Sequence, residues 1–557
     1  MKLEIRKLIL ICIGFYSFVT FAQKGGLNGV GVTVINPKEI KIDTAERVYG
    51  QASDYVDNNE AVVQNVSFDF GYKPQVNTQN IKTMVAMYRL KIDKADDSKS
   101  GFVRAGAGNY GNTLLDFYYG SRVNKKVAWG VNANHIGAIN GPVAKKLSSY
   151  SNNRVGIQGK YFMENYLFSA AANYERTVSR NYSPAFTAFG TKKKASKESS
   201  YGVVSALVKK NPANNVFFDL GLSSINTKKA LQFDFNTSPN YFILNDSLSE
   251  FSIKNNFVPS YKLSAGTIYL TTNFDFTTLN GLEKYSRNLI NIRPSFEHLS
   301  DDKRLLGEIG LIFNGVKDTT LDKKLSIYPF LKASYLVSKE YQVMVRGQLS
   351  GGMTQQLLKD AYTNNIWLGN FAANTSNDKL AIKTSVEAAP ITNFKAKFKF
   401  DYTSIENFNY YSPSNIGLGY FVNTHAQDVV NVVNPGLELS YDFLAGHGIK
   451  CTLDAFNYTS KDRLLYTPNL VTGIEIFYKL KKNFKLSSDI SYISGLVGAN
   501  NIKMKSILDL NIKGEYTFND KMGAFIHANN LIGKNYQYFE GYATQGINIL
   551  AGLTVNF

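Results

Sequence analysis

The residue types that most often carry chemistry are few in this chain and badly spaced for it. Five histidines, His135, His298, His425, His447 and His527, stand far apart, and no two have the spacing of a metal-ligand pair. There is no Gly-x-Ser-x-Gly, no His-Glu-x-x-His and no Cys-x-x-Cys. These residues indicate no enzyme, and no cofactor or metal site is expected. Gly106, Gly108 and Gly111 could suggest a phosphate cradle, but no helical pattern follows them, so bends in strands account for them better. The one ordered charge pattern is Phe394 to Tyr402, where Lys395, Lys397, Lys399 and Asp401 alternate with Phe394, Ala396, Phe398, Phe400 and Tyr402. A strand with that period of two presents charge on one face and apolar side chains on the other. The three lysines could form a cationic strip that draws an anionic solute or holds an acidic loop. A wet wall that tolerates any charge would look the same.

The elements that would position such a strip repeat the same period. At the C-terminus Ile547, Ile549, Ala551, Leu553, Val555 and Phe557 share one face, with Asn548, Leu550, Gly552, Thr554 and Asn556 on the other. That run is as long as a tilted membrane strand of about 9–11 residues. Ile474 to Leu480 and Phe484 to Tyr492 repeat it on either side of Lys481-Lys482-Asn483, as a hairpin would. Tight turns are also expected at 124–126, 164–165, 211–214, 301–303, 338–340, 389–390 and 519–520. Longer polar loops are expected at 138–151, 177–198, 226–249, 354–379, 407–433 and 494–505. Short turns at one end and long loops at the other are the asymmetry of an outer-membrane barrel. The expected fold is therefore all-β, a transmembrane antiparallel β-barrel over residues 101–557 with about 22 strands, in a range of roughly 18 to 22. Pro259, Pro294 and Pro329 fall inside expected strands, so each marks a bulge or rim, or the count is too high.

Composition and targeting agree with that reading. The 557 residues include 37 Phe and 35 Tyr and carry a net charge of +18, while the mean hydropathy is −0.19. Such a chain is too apolar for disorder, and its two cysteines cannot make a disulfide framework. Lys2, Arg6 and Lys7 precede an apolar run from Leu8 to Phe21 that closes on Ala22, the order of a secretory signal peptide over residues 1–22. Beyond Phe21 no uninterrupted apolar run reaches the roughly 18 residues of a membrane helix candidate. Residues 23–100, with Gly25-Gly26, Asn36-Pro37 and isolated charges, read as a periplasmic or luminal segment, a partial plug or tail. The abundant aromatics fit two interfacial girdles, although Asn407 to Tyr411 and Tyr420-Phe421 could supply stacking surfaces on external loops. In an exported barrel the positive charge meets lipopolysaccharide phosphates or acidic partners rather than nucleic acid.

Three passages carry a resemblance: Gly108-Asn109-Tyr110-Gly111, Asn434-Pro435-Gly436-Leu437-Glu438-Leu439, and Asn529 to Tyr536 with Gly541-Tyr542 and terminal Phe557. Together they resemble the barrel of TonB-dependent receptors, especially plug-poor relatives in Bacteroidota. The resemblance implies a 22-stranded outer-membrane barrel inserted by the barrel-assembly machinery through a C-terminal signal at Leu553, Val555 and Phe557. Full receptors also carry a folded plug and a TonB-contacting box. Here residues 23–100 are short for such a plug, and the only box-like stretch is Val32-Thr33-Val34-Ile35. Two functions follow as expectations, a transporter-like conduit in the outer membrane or an accessory subunit of an outer-membrane complex. The second extends to a structural barrel of assembly or secretion machinery without transport, associated with other barrels or lipoproteins. A lumen of that width needs filling, by residues 23–100, by folded-in loops or by a partner chain, and the first two are favoured.

Overall fold

A computed structural model describes residues 99–557, apart from 192–197, 226–228, 246, 282–283, 319–324, 363–365, 372–373, 392, 416–419, 445–446 and 482. The expected signal peptide, the segment 23–100 and the box-like stretch lie almost wholly outside the described residues. What is described is a closed antiparallel barrel of 22 strands. The first described strand, Lys99–Gly108, pairs with the last, Asn548–Asn556, from Phe102↔Asn556 to Gly108↔Leu550. Gly101 and Phe557 exchange backbone hydrogen bonds of 2.8 and 2.9 Å at the foot of that seam. Closure leaves the wall no edge, the condition for a sheet in hydrocarbon.

Alternation sets the two faces. In the closing strand Ile549, Leu553 and Val555 are 43%, 54% and 39% exposed on the outer face, whereas Leu550 between them is 0% exposed. The same outward apolar set continues around the wall through Leu115, Val155, Ile157, Phe218, Leu270, Ile290, Ile309, Phe398 and Ile526. Cys451 faces the same way, between Ile449 and Leu453 of the strand His447–Ala455.

Most of the expected turns and loops appear, with three differences: Ala389-Pro390, expected as a turn, lies inside the strand Thr375–Ile391, and the other two concern residues 211–249. Asn211-Pro212-Ala213-Asn214 is no turn but the start of the strand Lys210–Ser224, and the expected loop 226–249 contains the strand Leu231–Leu244. Lumen-facing positions are wet, so a wall strand can alternate Asn, Ser and Asp with apolar residues and look like a loop. The three prolines sit inside strands without reducing the count. Pairing jumps from Phe257↔Thr272 to Ser260↔Tyr269 beside Pro259, and from Ile292↔Phe313 to Ser295↔Gly310 beside Pro294. Pro329 pairs with Leu311 on one side, while pairing on the other begins only at Leu331↔Leu349. The register is unchanged across the first two gaps, so a missing donor costs a local rung and nothing more.

Candidate functional site

The wall ends differently at its two rims. At one, strands are joined by turns such as 123–126 and 163–165. At the other, the described parts of seven long connections fold inward and pack on one another. Their shared core holds Tyr182, Ile366, Phe421, Tyr466, Leu496, Phe539 and Tyr542, all buried. Phe421 stands edge-on to Phe539 at 5.2 Å and to Tyr466 at 5.3 Å, and Tyr411 meets Phe539 at 5.2 Å. Such pairs add about 0.5–1.5 kcal/mol each beyond the area they bury. Their polar tips are paired. The Tyr542 hydroxyl donates to Asn181 Oδ1 at 2.8 Å and accepts from the Trp367 amide at 3.1 Å, and Tyr466 donates to Glu540 Oε2 at 2.7 Å. A three-stranded sheet of Trp367–Phe371, Tyr420–His425 and Asn409–Asn415 stiffens the assembly. The loops thus form a cap with its own hydrophobic core.

Tyr411 and Phe421, expected as stacking surfaces on external loops, therefore lie inside this cap, Tyr411 partly and Phe421 fully buried. Burial holds the hydroxyls of Tyr182, Tyr466 and Tyr542 well above the usual phenol range. Their raised values favour the neutral form in the folded cap. The corresponding stability is intact below the unfolded phenol value of about 10 and falls as pH rises above it. Followed by phenolate absorbance, these tyrosines are expected to ionise in a late, cooperative step that coincides with loss of protease resistance in the loops. Ionisation together with the exposed tyrosines would contradict a dry cap.

One connection crosses the lumen. Residues 356–374 leave the strand Val343–Gln355 and reach the strands Tyr166–Arg180 and Lys210–Ser224, where the Tyr362 hydroxyl meets Ser179 Oγ at 3.0 Å and Asn211 Nδ2 donates to the Ile366 carbonyl at 2.8 Å. A buried ion pair on the wall clasps this segment. Glu250 and Arg287 are 3.8 Å apart with both side chains 0% exposed. Both oxygens of Glu250 accept the Leu358 amide at 3.0 Å, while Arg287 donates to the Asn374 carbonyl at 2.6 Å and the Gln356 carbonyl at 2.7 Å. One guanidinium therefore holds both ends of the crossing segment. Within it, burial pulls the Lys359 ammonium down, and its Nζ lies 5.3 Å from the Phe217 ring centre.

Lys395, Lys397 and Lys399 lie opposite the outward Phe394, Ala396, Phe398 and Phe400, on the lumen side of the strand Phe394–Glu406. Lys397 pairs with Glu387 at 3.3 Å, which also binds Arg346 at 2.8 Å, and Lys399 pairs with Asp454 at 2.5 Å. Further lumen pairs are Arg104–Glu515 at 3.1 Å and Lys513–Asp489 at 2.9 Å. Two of the three lysines are thus compensated by neighbouring carboxylates. The histidines stay apart. His135 bridges Thr113 Oγ1 at 2.8 Å and Asn153 Oδ1 at 2.7 Å, and His447 packs on Tyr478 at 4.3 Å. Among the described residues no group of His, Cys, Asp and Glu could hold a metal ion.

No family model matches the chain, and no curated protein matches it. Solved structures do. The FrpB iron transporter from Neisseria meningitidis superposes with a TM-score of 0.63 at 10% identity, covering 83% of this chain and 82% of that one. The chain has the barrel fold of TonB-dependent receptors. The copper transporter OprC gives a TM-score of 0.62 at 10% identity over 83% of this chain and 81% of that one. The siderophore receptor PirA from Pseudomonas aeruginosa gives 0.58 at 10% identity, with 84% and 81% covered. At these identities the likeness is one of fold.

Sequence reasoning found the wall and expected folded-in loops, but missed their aromatic core and the clasp. The signal for the cap was the cluster Tyr536, Tyr538, Phe539 and Tyr542, too aromatic for a solvated connection between the last two strands. Nothing local marks Glu250 and Arg287, which resemble any other lumen charge.

Proposed function

We propose that this protein is an outer-membrane, transporter-like barrel: a passage for a polar solute, stopped at its external end by its own loops. The observation that carries this reading is the contrast between the wall and the stopper. The inner wall is polar from the turn end upward, while the stopper has its own aromatic core and is held to the wall by the buried clasp, by the Tyr362 and Asn211 hydrogen bonds and by packing of Leu358, Tyr362 and Leu368 on Ala213, Phe242 and Leu279. A barrel built only as a scaffold has no need of a stopper that can be released. The long-loop end is taken as extracellular and the turn end as periplasmic. There Arg176, Arg180 and Lys210 face outward near the loop rim, at the level of outer-leaflet phosphates including those of lipopolysaccharide. Leu553, Val555 and Phe557 on the closing strand are the surface that the barrel-assembly machinery would read.

Planar-bilayer recording tests the passage. The intact protein is expected to be nearly silent, and a variant with residues 356–374 replaced by a short Gly-Ser linker is expected to conduct in large, long-lived steps. Silence of the loop-replaced variant would sink the reading. Stable recovery of another barrel or a lipoprotein with the silent protein in mild detergent would favour the accessory-subunit alternative.

A further inference from the structure

Five consecutive wall strands place asparagine at one level of the lumen. Asn236 lies opposite Asn256, Asn256 opposite Asn273, Asn273 opposite Asn291, and Asn291 opposite Asn314. Asn256 Nδ2 donates to Asn273 Oδ1 at 2.6 Å, and Asn291 Nδ2 donates to Asn314 Oδ1 at 2.8 Å. These two bonds leave capacity over, for the Asn256 oxygen and the Asn314 nitrogen are buried without a partner in the protein. Asn236, Asn256, Asn273 and Asn291 border a cavity of about 350 Å³ that reaches up to Thr354, just below the crossing segment. That is within the usual range of small-molecule sites, about 300–1,000 Å³. Leu289 and Met353 give it an apolar side, and its one cation, Lys254, lies opposite Asp275.

We propose that this asparagine belt binds a neutral, hydroxyl-rich solute, a sugar, on its way through the barrel. The inference rests on the passage reading and names its cargo class. A carboxamide offers a donor and an acceptor without charge, as a sugar hydroxyl does. A site for an anion would show cations in excess, and here the only one is balanced. A site for an apolar solute would leave the carboxamides unpaired, which is the costly case. The Leu289 and Met353 side accepts the C–H face of a ring.

Equilibrium dialysis of the full chain, folded in a sugar-free detergent, against radiolabelled maltotriose tests the site, with citrate as the anionic comparator. Saturable maltotriose binding is expected, with at least about tenfold weaker binding in Asn256→Ala and little for citrate. Asn273→Asp keeps the volume and removes both donors, and is expected to weaken binding similarly. Absence of saturable maltotriose binding, equal binding of citrate, or full affinity in both folded variants overturns the proposal. Conductance is read separately. A loop-replaced barrel that conducts while the protein binds no sugar defeats the belt and leaves the passage standing. Sugar binding by a barrel that never conducts defeats the passage alone.

Discussion

Arg287→Ala protein is expected to assemble as a barrel and lose its stopper. The guanidinium bonds the carbonyls of Gln356 and Asn374 and faces the Glu250 carboxylate, both charged side chains being out of contact with solvent. Removing it strands a buried carboxylate and two carbonyls, and breaking a buried pair in this way costs about 3–5 kcal/mol. At about 1.4 kcal/mol per tenfold, detachment of the crossing segment becomes more frequent by at least about 100-fold. Loss of hydrogen-exchange protection at the Leu358 amide reports it directly, and bursts of conductance report it functionally. The wall strands lose nothing, because the bonds removed join the wall to a loop. Glu250→Gln with Arg287→Met removes both charges and is expected to recover part of the protection, since the penalty comes from an unpartnered charge. Wild-type protection at Leu358 in Arg287→Ala would show that the aromatic core and the remaining wall contacts hold the cap without the guanidinium.

The sequence made the wall legible because hydrocarbon outside and water inside impose a period of two on every strand. Ile549 to Phe557 displays it without help from any other part of the chain. Lys395, Lys397 and Lys399 were legible as one face for the same reason, but their partners were not. Glu387 lies on the preceding wall strand and Asp454 on a later one, and only the register brings them within ion-pair distance. The asparagine belt is hidden in the same way. Each asparagine alone looks like a loop or turn residue, and the expected loop at 226–249 was drawn partly around Asn236. The row exists only once five strands are aligned. The clasp is harder still, because Glu250 and Arg287 act on a segment that enters the chain beyond both of them. Prolines misled in the opposite direction. They forbid one rung, and a long ladder can do without one.

The seam where first and last strands meet sets the second large effect. Gly106 lies opposite Gly552 across it, on the lumen face. A Cβ on Gly552 would stand 2.0 Å from the Ala105 carbonyl oxygen and 2.6 Å from the Gly106 Cα, both backbone atoms that cannot turn aside. Gly108 is as tight, with its Cβ position 2.1 Å from the Ile549 carbonyl oxygen. Gly106 and Gly108, read as bends from the sequence, together with Gly552 permit the two strands to close. Gly552→Val is therefore expected to abolish closure, giving protein that runs as the unfolded species in unheated gel samples and is degraded in cells. The Phe525 ring covers both glycines, its Cζ lying 2.8 Å from the Cβ position of Gly106 and 2.6 Å from that of Gly552, while Arg104 stacks 5.3 Å from its centre. An aromatic laid over a glycine pair replaces the packing that the missing side chains cannot supply. Phe525→Ala should leave the ladder intact and cost about 3–5 kcal/mol, the usual loss for truncating a buried phenylalanine. That predicts a barrel which closes but melts earlier, so the two variants separate steric exclusion from lost packing. A Gly552→Val barrel with normal heat-modifiable mobility would mean that the seam tolerates a register other than Gly106↔Gly552.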